Sequence, residues 1–247
     1  EYVKLKNMCD ENNIEFMSTP FDTDSVHMLK KIGVNAYKIA SCDLTNFQLL
    51  KEVSKTKLPI LLSTGASDIE EIGKTLNFLD QCGLKKDKIC IMHCTLCYPT
   101  KPEDANLSAI LDIKKNFPGY LLGLSDHPLG IEVALAASMY EIAIIEKHYT
   151  YDKELKLSAD HWLSINEEEA AQLVKKLKIY NDAVGCGSKK LLKCEDKTFK
   201  LARRSIVAKR NIKAGNIIKE DDIIAKRPGT GIPASKFFEI VGKMFTR

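Results

Sequence analysis

The sequence predicts an α/β protein: a TIM (β/α)8 barrel represented by about six βα units, with a small mostly-β domain behind it. Three observations lead there. Short apolar, β-branched runs recur at intervals of about 20 to 30 residues, with stretches of helical period between them, the pattern of a parallel sheet covered by helices. Nearly every run ends in polar, reactive side chains. A barrel gathers all its strand ends round one axis, whereas an open sheet of six would spread them over roughly 25–30 Å, so the barrel is preferred. Past residue 184 the alternation stops. The expected organisation is a partial barrel over 1–184, a linker over 185–200 and a second domain over 201–247. Eight strands close such a barrel, so the first two βα units are expected to be missing from the chain.

Strands are expected at 14–19, 36–41, 59–64, 88–94, 120–125 and 142–149. The helix over 25–32 carries Val26, Leu29 and Ile32 on one face and opens at Asp22. The next, over 45–53, carries Phe47, Leu49, Leu50 and Val53. A third, over 69–79, carries Ile69, Ile72, Leu76 and Leu79, and Ser67 with Glu70 three residues later spells a capping box. A fourth, over 107–117, carries Leu107, Ile110, Leu111, Ile113 and Phe117. Helices over 130–139 and 167–184 complete the set. Residues 1–6 already read as polar helix. Gly185-Cys186-Gly187-Ser188 reads as linker, then strand-like pieces at 204–208, 215–218 and 222–226 lead into a Pro/Gly-rich loop at 227–233.

Composition sets the outer limits. With 45% hydrophobic and 28% charged residues, the 247-residue chain can bury a core and is not disordered. No run reaches the roughly 18–20 apolar residues of a membrane-spanning helix. The balance of 37 Lys+Arg against 33 Asp+Glu is only +4, with the basic residues scattered. Neither membrane nor nucleic acid is therefore an expected partner. Eight cysteines, several inside apolar runs such as 89–92, and the lack of a signal-peptide pattern predict reduced thiols and a cytoplasmic location.

The reactive residues cluster at strand ends. His127 and His148 close two successive strands, and period 2 puts both on the same kind of face, so two neutral imidazoles could make an open site for a divalent cation. Lys38 lies inside the apolar run Ala36-Tyr37-Lys38-Ile39-Ala40-Ser41. A buried ammonium is expensive unless it meets an anion, so it suits a phosphate, a carboxylate or a Schiff base. Ser41, Ser63 and Ser125 end other strands and suit anion binding through hydroxyls. Cys94-Thr95-Leu96-Cys97 lacks a second such pair for zinc and opens no helix, so its spacing is read as incidental. Gly229 and Gly231 precede no βαβ unit and make no nucleotide-binding loop.

These strings together resemble the N-acetylneuraminate (sialic acid) synthase family. They are Phe16-Met17-Ser18-Thr19-Pro20-Phe21-Asp22, Tyr37 through Asn46, Leu62-Ser63-Thr64-Gly65, His93-Cys94-Thr95 with Tyr98-Pro99, Gly123-Leu124-Ser125-Asp126-His127, and Glu146-Lys147-His148-Tyr149-Thr150 with Asp160-His161. The tail, Arg203 through Ala208 and Lys226-Arg227-Pro228-Gly229, resembles that family's C-terminal antifreeze-like (SAF) domain. The resemblance runs along nearly the whole chain, in order. It implies condensation of phosphoenolpyruvate with an open-chain N-acetylated amino sugar, N-acetylmannosamine or a related one, with release of phosphate. It implies that His127 and His148 hold Mn²⁺ or Mg²⁺, a Lewis acid for the sugar aldehyde. Lys38, Ser41, Ser63 and Ser125 match positions near phosphoenolpyruvate. Thr19, Asp43, Tyr98, Glu146 and Asp160 match other pocket positions, with Glu146, Asp43 and Lys38 expected to be catalytic. Arg227 matches an arginine that reaches across a domain-swapped homodimer to the partner's sugar.

Three departures qualify the resemblance. The two βα units expected to be missing would carry a family glutamate and a second pocket lysine, and the SAF domain is also expected to be cut short. A fragment with these boundaries is expected to be inactive or to depend on the missing segment. Leu96 stands where relatives often carry Asn, Ser or Thr, and Cys42-Asp43 replaces a common Gly-Glu or Gly-Asp. The acceptor sugar is therefore open, and a legionaminate- or pseudaminate-type synthase is the alternative. Outside this class stand a metal-dependent hydrolase on the same barrel and a non-catalytic sugar-binding fragment.

Overall fold

A computed structural model describes residues 1–156 and 158–246; Leu157 and Arg247, the last residue of the expected second domain, lie outside the described residues. The chain divides into two units, Glu1–Gly185 and Cys186–Arg247.

In the first unit helix and strand alternate as the apolar periodicity requires. The elements are α1 (Tyr2–Glu11), α2 (Thr23–Ile32), β1 (Tyr37–Ile39), α3 (Phe47–Lys55), β2 (Ile60–Ser63), α4 (Ile69–Gln81), β3 (Ile89–Cys94), α5 (Ala109–Asn116), β4 (Leu121–Asp126), α6 (Glu132–Ala137), β5 (Ile144–Lys147) and α7 (Glu167–Val184). The strands form one parallel sheet in chain order, β1 to β5. Helix starts follow side-chain capping. The Asp22 carboxylate accepts from Ser25 N, and the Asn46 amide oxygen accepts from Leu49 N. At α4 the expected box shifts by one residue. Asp68 is the cap and accepts from Glu71 N, while the Ser67 hydroxyl donates to the Thr64 carbonyl and ties the loop to the strand end. A carboxylate only accepts, whereas a hydroxyl can serve a carbonyl instead, so the two side chains divide the work. A reciprocal capping box does form at α7, between Asn166 and Glu169.

The expected first strand is a correction. Residues 14–19 supply only one parallel bridge, Ser18 to Tyr37, so the sheet holds five strands and a bridge instead of six strands. Pro20 lacks an N–H to extend the ladder, and the segment has a partner on one side only. Ile14 and Met17 stay exposed. Among the described residues nothing pairs this bridge with β5, so the sheet is open.

The two sheet faces carry different chemistry. Facing the helices are Tyr37, Ile39, Ile60, Leu62, Ile89, Ile91, Leu122 and Leu124, which pack with Leu29, Leu50, Val53, Leu76 and Leu79 in one core. The inner face holds a smaller cluster, Leu61, Cys90 and Met92 with Ala36 and Ile144. Gly123 makes room there: a Cβ at this position would overlap the Met92 sulfur. The sheet is also strongly curled. Lys38 on β1 and Glu146 on β5 lie four strand spacings apart, about 19 Å if the sheet were flat. Their charged ends nevertheless stand 3.4 Å from one another.

The second unit contains a short helix, α8 (Asp196–Ala202), and two antiparallel strands, β6 (Ser205–Ala208) and β7 (Ile223–Lys226), with Ser205 opposite Lys226. The expected strand at 215–218 is reduced to one bridge, Ile217 to Met244. Asp222 closes the unit: its carboxylate accepts from Arg210 Nε at 2.6 Å and from Lys219 N at 2.8 Å.

Candidate active site

Curling brings the C-terminal ends of all five strands to one cavity of about 300 Å³. Alternation decides which side chains face it. From β1 the inner residues are Ala36 and Lys38, from β2 Leu61 and Ser63, from β3 Cys90, Met92 and Cys94. From β4 they are Gly123 and Ser125, then His127, and from β5 Ile144 and Glu146, then His148. Lys38, Ser41, Ser63, Tyr98, Ser125, His127, Glu146 and His148, all singled out in the sequence, line this cavity together with Phe21, Cys42, Cys94 and Leu96. A larger groove, between α1 and α2, mixes Tyr2, Val3, Met28 and Ile32 with the charged Glu1, Asp24, Lys30 and Lys31 and contains none of the expected site residues.

On one side of the cavity sits a buried cation among hydroxyls. Lys38 Nζ is 3.4 Å from Glu146 Oε2 and donates weakly to the Ile39 carbonyl at 3.3 Å. Glu146 Oε2 and Ser63 Oγ are buried with no hydrogen-bond partner. The Lys38–Glu146 contact is thus an ion pair without an aligned hydrogen bond. Unpaired buried polar atoms are costly, and here both face a cavity that an anionic substrate could fill. Ser41 Oγ accepts from Gly65 N at 2.9 Å and stands 3.6 Å from Cys94 Sγ. A Cβ on Gly65 would fall 2.8 Å from that hydroxyl, so glycine permits the approach.

On the other side stand the imidazoles. The His127 and His148 ring centres are 5.4 Å apart, and Tyr98 packs 4.2 Å from the first and 5.6 Å from the second. His127 Nδ1 is 3.0 Å from the Thr95 carbonyl, which can only accept, so Nδ1 carries the proton and Nε2 keeps a free lone pair. Burial holds the His127 imidazole below its ordinary pKa, with His148 adding to the effect, which favours this neutral form. His148 Nδ1 lies 4.0 Å from Asp160 Oδ2. This donor set fits a divalent cation. Two imidazoles at this spacing, one with its lone pair preset, leave the remaining positions to substrate and water, as catalytic sites do. Among the described residues no group of three or more His, Cys, Asp or Glu side chains stands at metal-binding spacing.

Three expected site residues, Asp43, Thr19 and Asp160, do not line the cavity. Asp43 is turned to Asn46, whose amide donates to it at 2.8 Å, because residues 41–43 form a 3-10 turn that rotates the carboxylate away. Thr19 follows the Ser18 bridge outside the lining, and Asp160 touches the site only through His148. Arg227 belongs to the second unit, where its Nε donates to the Ala202 carbonyl. Of Cys94-x-x-Cys97, Cys94 is buried in the cavity wall with its thiol pushed up by burial, while Cys97 is exposed. The alternation Cys90, Met92, Cys94 was the signal for that placement; Phe21 and Leu96 lie on loops with no alternation, and only the family resemblance marked their positions.

Comparison with known proteins gives the following. The model of the NeuB family matches residues 1–189, and that of the SAF domain matches 203–247. The chain is 39% identical over 235 residues to N,N'-diacetyllegionaminic acid synthase of Campylobacter jejuni, covering 95% of this chain and 70% of that protein. It is 31% identical over 244 residues to human N-acetylneuraminate-9-phosphate synthase, covering 98% and 67%. The crystal structure of N-acetylneuraminic acid (sialic acid) synthetase from Leptospira borgpetersenii, in complex with citrate, superposes with a TM-score of 0.75 at 36% identity, covering 80% of this chain and 67% of that one. No described helix is long and apolar enough to cross a membrane.

Proposed function

The chain belongs to the NeuB family, with a SAF domain following, and on that premise we propose that it condenses phosphoenolpyruvate with an N-acetylated amino sugar to give a nonulosonate and phosphate. Relatives named as synthases of legionaminic, N-acetylneuraminic (as its 9-phosphate) and pseudaminic acids support this reading. The observation that carries it is the meeting, in one cavity, of a buried ammonium and three serine hydroxyls with a pair of imidazoles.

The chain's own groups divide the chemistry. Lys38, Ser41, Ser63 and Ser125 bind the carboxylate and phosphate of phosphoenolpyruvate, and the unpartnered Ser63 hydroxyl gains an acceptor. Tyr98 and Leu96, exposed members of the lining, meet the sugar as it enters. Carbon 3 of phosphoenolpyruvate forms the new bond to the aldehyde carbon, whose oxygen gains a proton. Water adds at carbon 2, phosphate leaves with its bridging oxygen and carbon 2 is left as a ketone; of the water's two protons one ends on the aldehyde-derived oxygen and the other on the departing phosphate. Glu146 Oε2, buried beside Lys38 and free of donors, takes the proton that this water gives up. A divalent ion, Mn²⁺ or Mg²⁺, held by His127 and His148 would supply Lewis acidity at the aldehyde oxygen. Asp160, next to His148, orients that imidazole.

The same proposal takes the curled sheet as part of a TIM (β/α)8 barrel, working in a cytoplasmic homodimer in which Arg227 of one copy reaches the sugar of the other. The test is phosphate release by the full-length protein from phosphoenolpyruvate, with N-acetylmannosamine or a diacetamido sugar and Mn²⁺ or Mg²⁺. One phosphate per sugar consumed is expected. Release without sugar would mark a hydrolase, and no turnover with any acceptor would leave a binding fragment.

A further inference from the structure

One charged pair in the first unit is unused by the reaction as described. Asp126 and Lys147 are direct partners in the β4–β5 ladder and face away from the cavity. Lys147 Nζ stands 2.6 Å from Asp126 Oδ2, and the two side chains are only 6% and 1% exposed. The other residues on this face, Leu122, Leu124 and Ile145, are apolar and pack against the helix layer. Such a pair in such a layer is poor value for stability, since well-packed apolar side chains in its place are usually neutral or stabilising. Its location suggests a different use. Asp126 immediately precedes His127, and Lys147 immediately precedes His148. The same ammonium also donates to the carbonyl of Pro128, the residue just after His127. A single lysine therefore ties the residues on both sides of one imidazole, the Asp126 carboxylate and the Pro128 carbonyl, to the strand that carries the other.

We propose that Asp126 and Lys147 are a positioning pair: they set the separation and aim of the His127 and His148 rings, and so the affinity of the site for a divalent cation. The inference rests on the proposed two-histidine site. Other contacts agree with a braced arrangement. The His127 carbonyl accepts from Thr100 N, the His148 carbonyl accepts from Ile165 N, and His127 Nδ1 donates to the Thr95 carbonyl. Each of these holds one histidine to a neighbouring loop or segment. The Asp126–Lys147 contact holds the two histidine strands to each other.

The test titrates Mn²⁺ into full-length protein and follows the electron paramagnetic resonance signal of the free ion, with thermal melting as the check on folding. The double variant Asp126→Leu/Lys147→Met is expected to melt cooperatively near the parent and to bind Mn²⁺ about 10- to 100-fold more weakly, the usual effect of losing an outer-shell partner. A folded double variant with the parental dissociation constant overturns the proposal. If that variant does not fold, Lys147→Gln, which keeps one donor and removes the charge, is expected to lose at least about tenfold in Mn²⁺ affinity. Parental affinity in a folded Lys147→Gln overturns the proposal equally. A parent protein that binds no Mn²⁺ or Mg²⁺ overturns the two-histidine reading itself, an outcome visible before any variant is made.

Discussion

Lys38, Ser63, Ser125 and Glu146, with His127 and His148 just past their strands, sit where strand alternation puts them, so single substitutions have separable effects. His127→Ala and His148→Ala remove side chains that line the site cavity, so their loss widens that cavity and opens no void in the apolar core. Both are expected to abolish condensation while the melting transition stays near the parent, measured by phosphate release and circular dichroism. Lys38→Met keeps the length of an apolar-run residue and removes the ammonium. Its Michaelis constant for phosphoenolpyruvate is expected to rise far more than that for the sugar, and an unchanged value would detach Lys38 from the anion. His127 also has a pH signature. Burial lowers its folded pKa below the ordinary 6.5. The unfolded chain therefore binds the proton more readily, and stability falls as pH drops below about 6.5 toward the folded value. Melting between pH 7.5 and 5.5 should show a shallower decline for His127→Asn than for the parent.

Secondary elements convert these positions into a site by curling and by close contact. Gly123→Ala would push a methyl group into the Met92 sulfur on the inner face of β4. Overpacking of this kind costs about 1–3 kcal/mol, and the strain falls two residues from Ser125, so lower melting temperature and weaker phosphoenolpyruvate binding are expected together. The α7 capping box gives a contrasting case. Asn166→Ala removes one half of a reciprocal pair at the helix start. It should cost about 1 kcal/mol, a shift of roughly 2–4 °C for a chain of this size, with phosphate release unchanged.

The whole chain is two units joined by an exposed segment. Residues 185–192 are exposed and follow the end of α7, with no regular structure from Cys186 to Leu192. Exposed, unpaired backbone is where proteases nick first. Brief trypsin treatment should cut at Lys189 or Lys190 ahead of all other sites, and mass spectrometry of the two products would show it. First cleavage inside the α/β unit would contradict the division.

Period and punctuation alone identified the helix-covered parallel sheet, five of its strands, and the helix starts at Asp22 and near Ser67. They also picked out His127, His148 and Lys38, because an imidazole pair at matching strand ends and a lysine in an apolar run violate the local pattern. Those are short-range signals, and a sequence carries them directly. The family resemblance, which the family model bears out, supplied the activity. Tertiary structure decided the rest. Whether residues 14–19 form a strand depended on a neighbour that the local pattern does not encode, and only a bridge formed. Asp43 matches a pocket position by resemblance, yet in the short turn at 41–43 its carboxylate accepts from the Asn46 amide. Phe21 and Leu96 became cavity wall through loop paths that have no periodicity. The contact between Lys38 and Glu146 exists only because the sheet bends, which brings strands four spacings apart within reach of each other. Pairing, bending and loop paths depend on contacts between residues far apart in the chain, and no window along the sequence contains them.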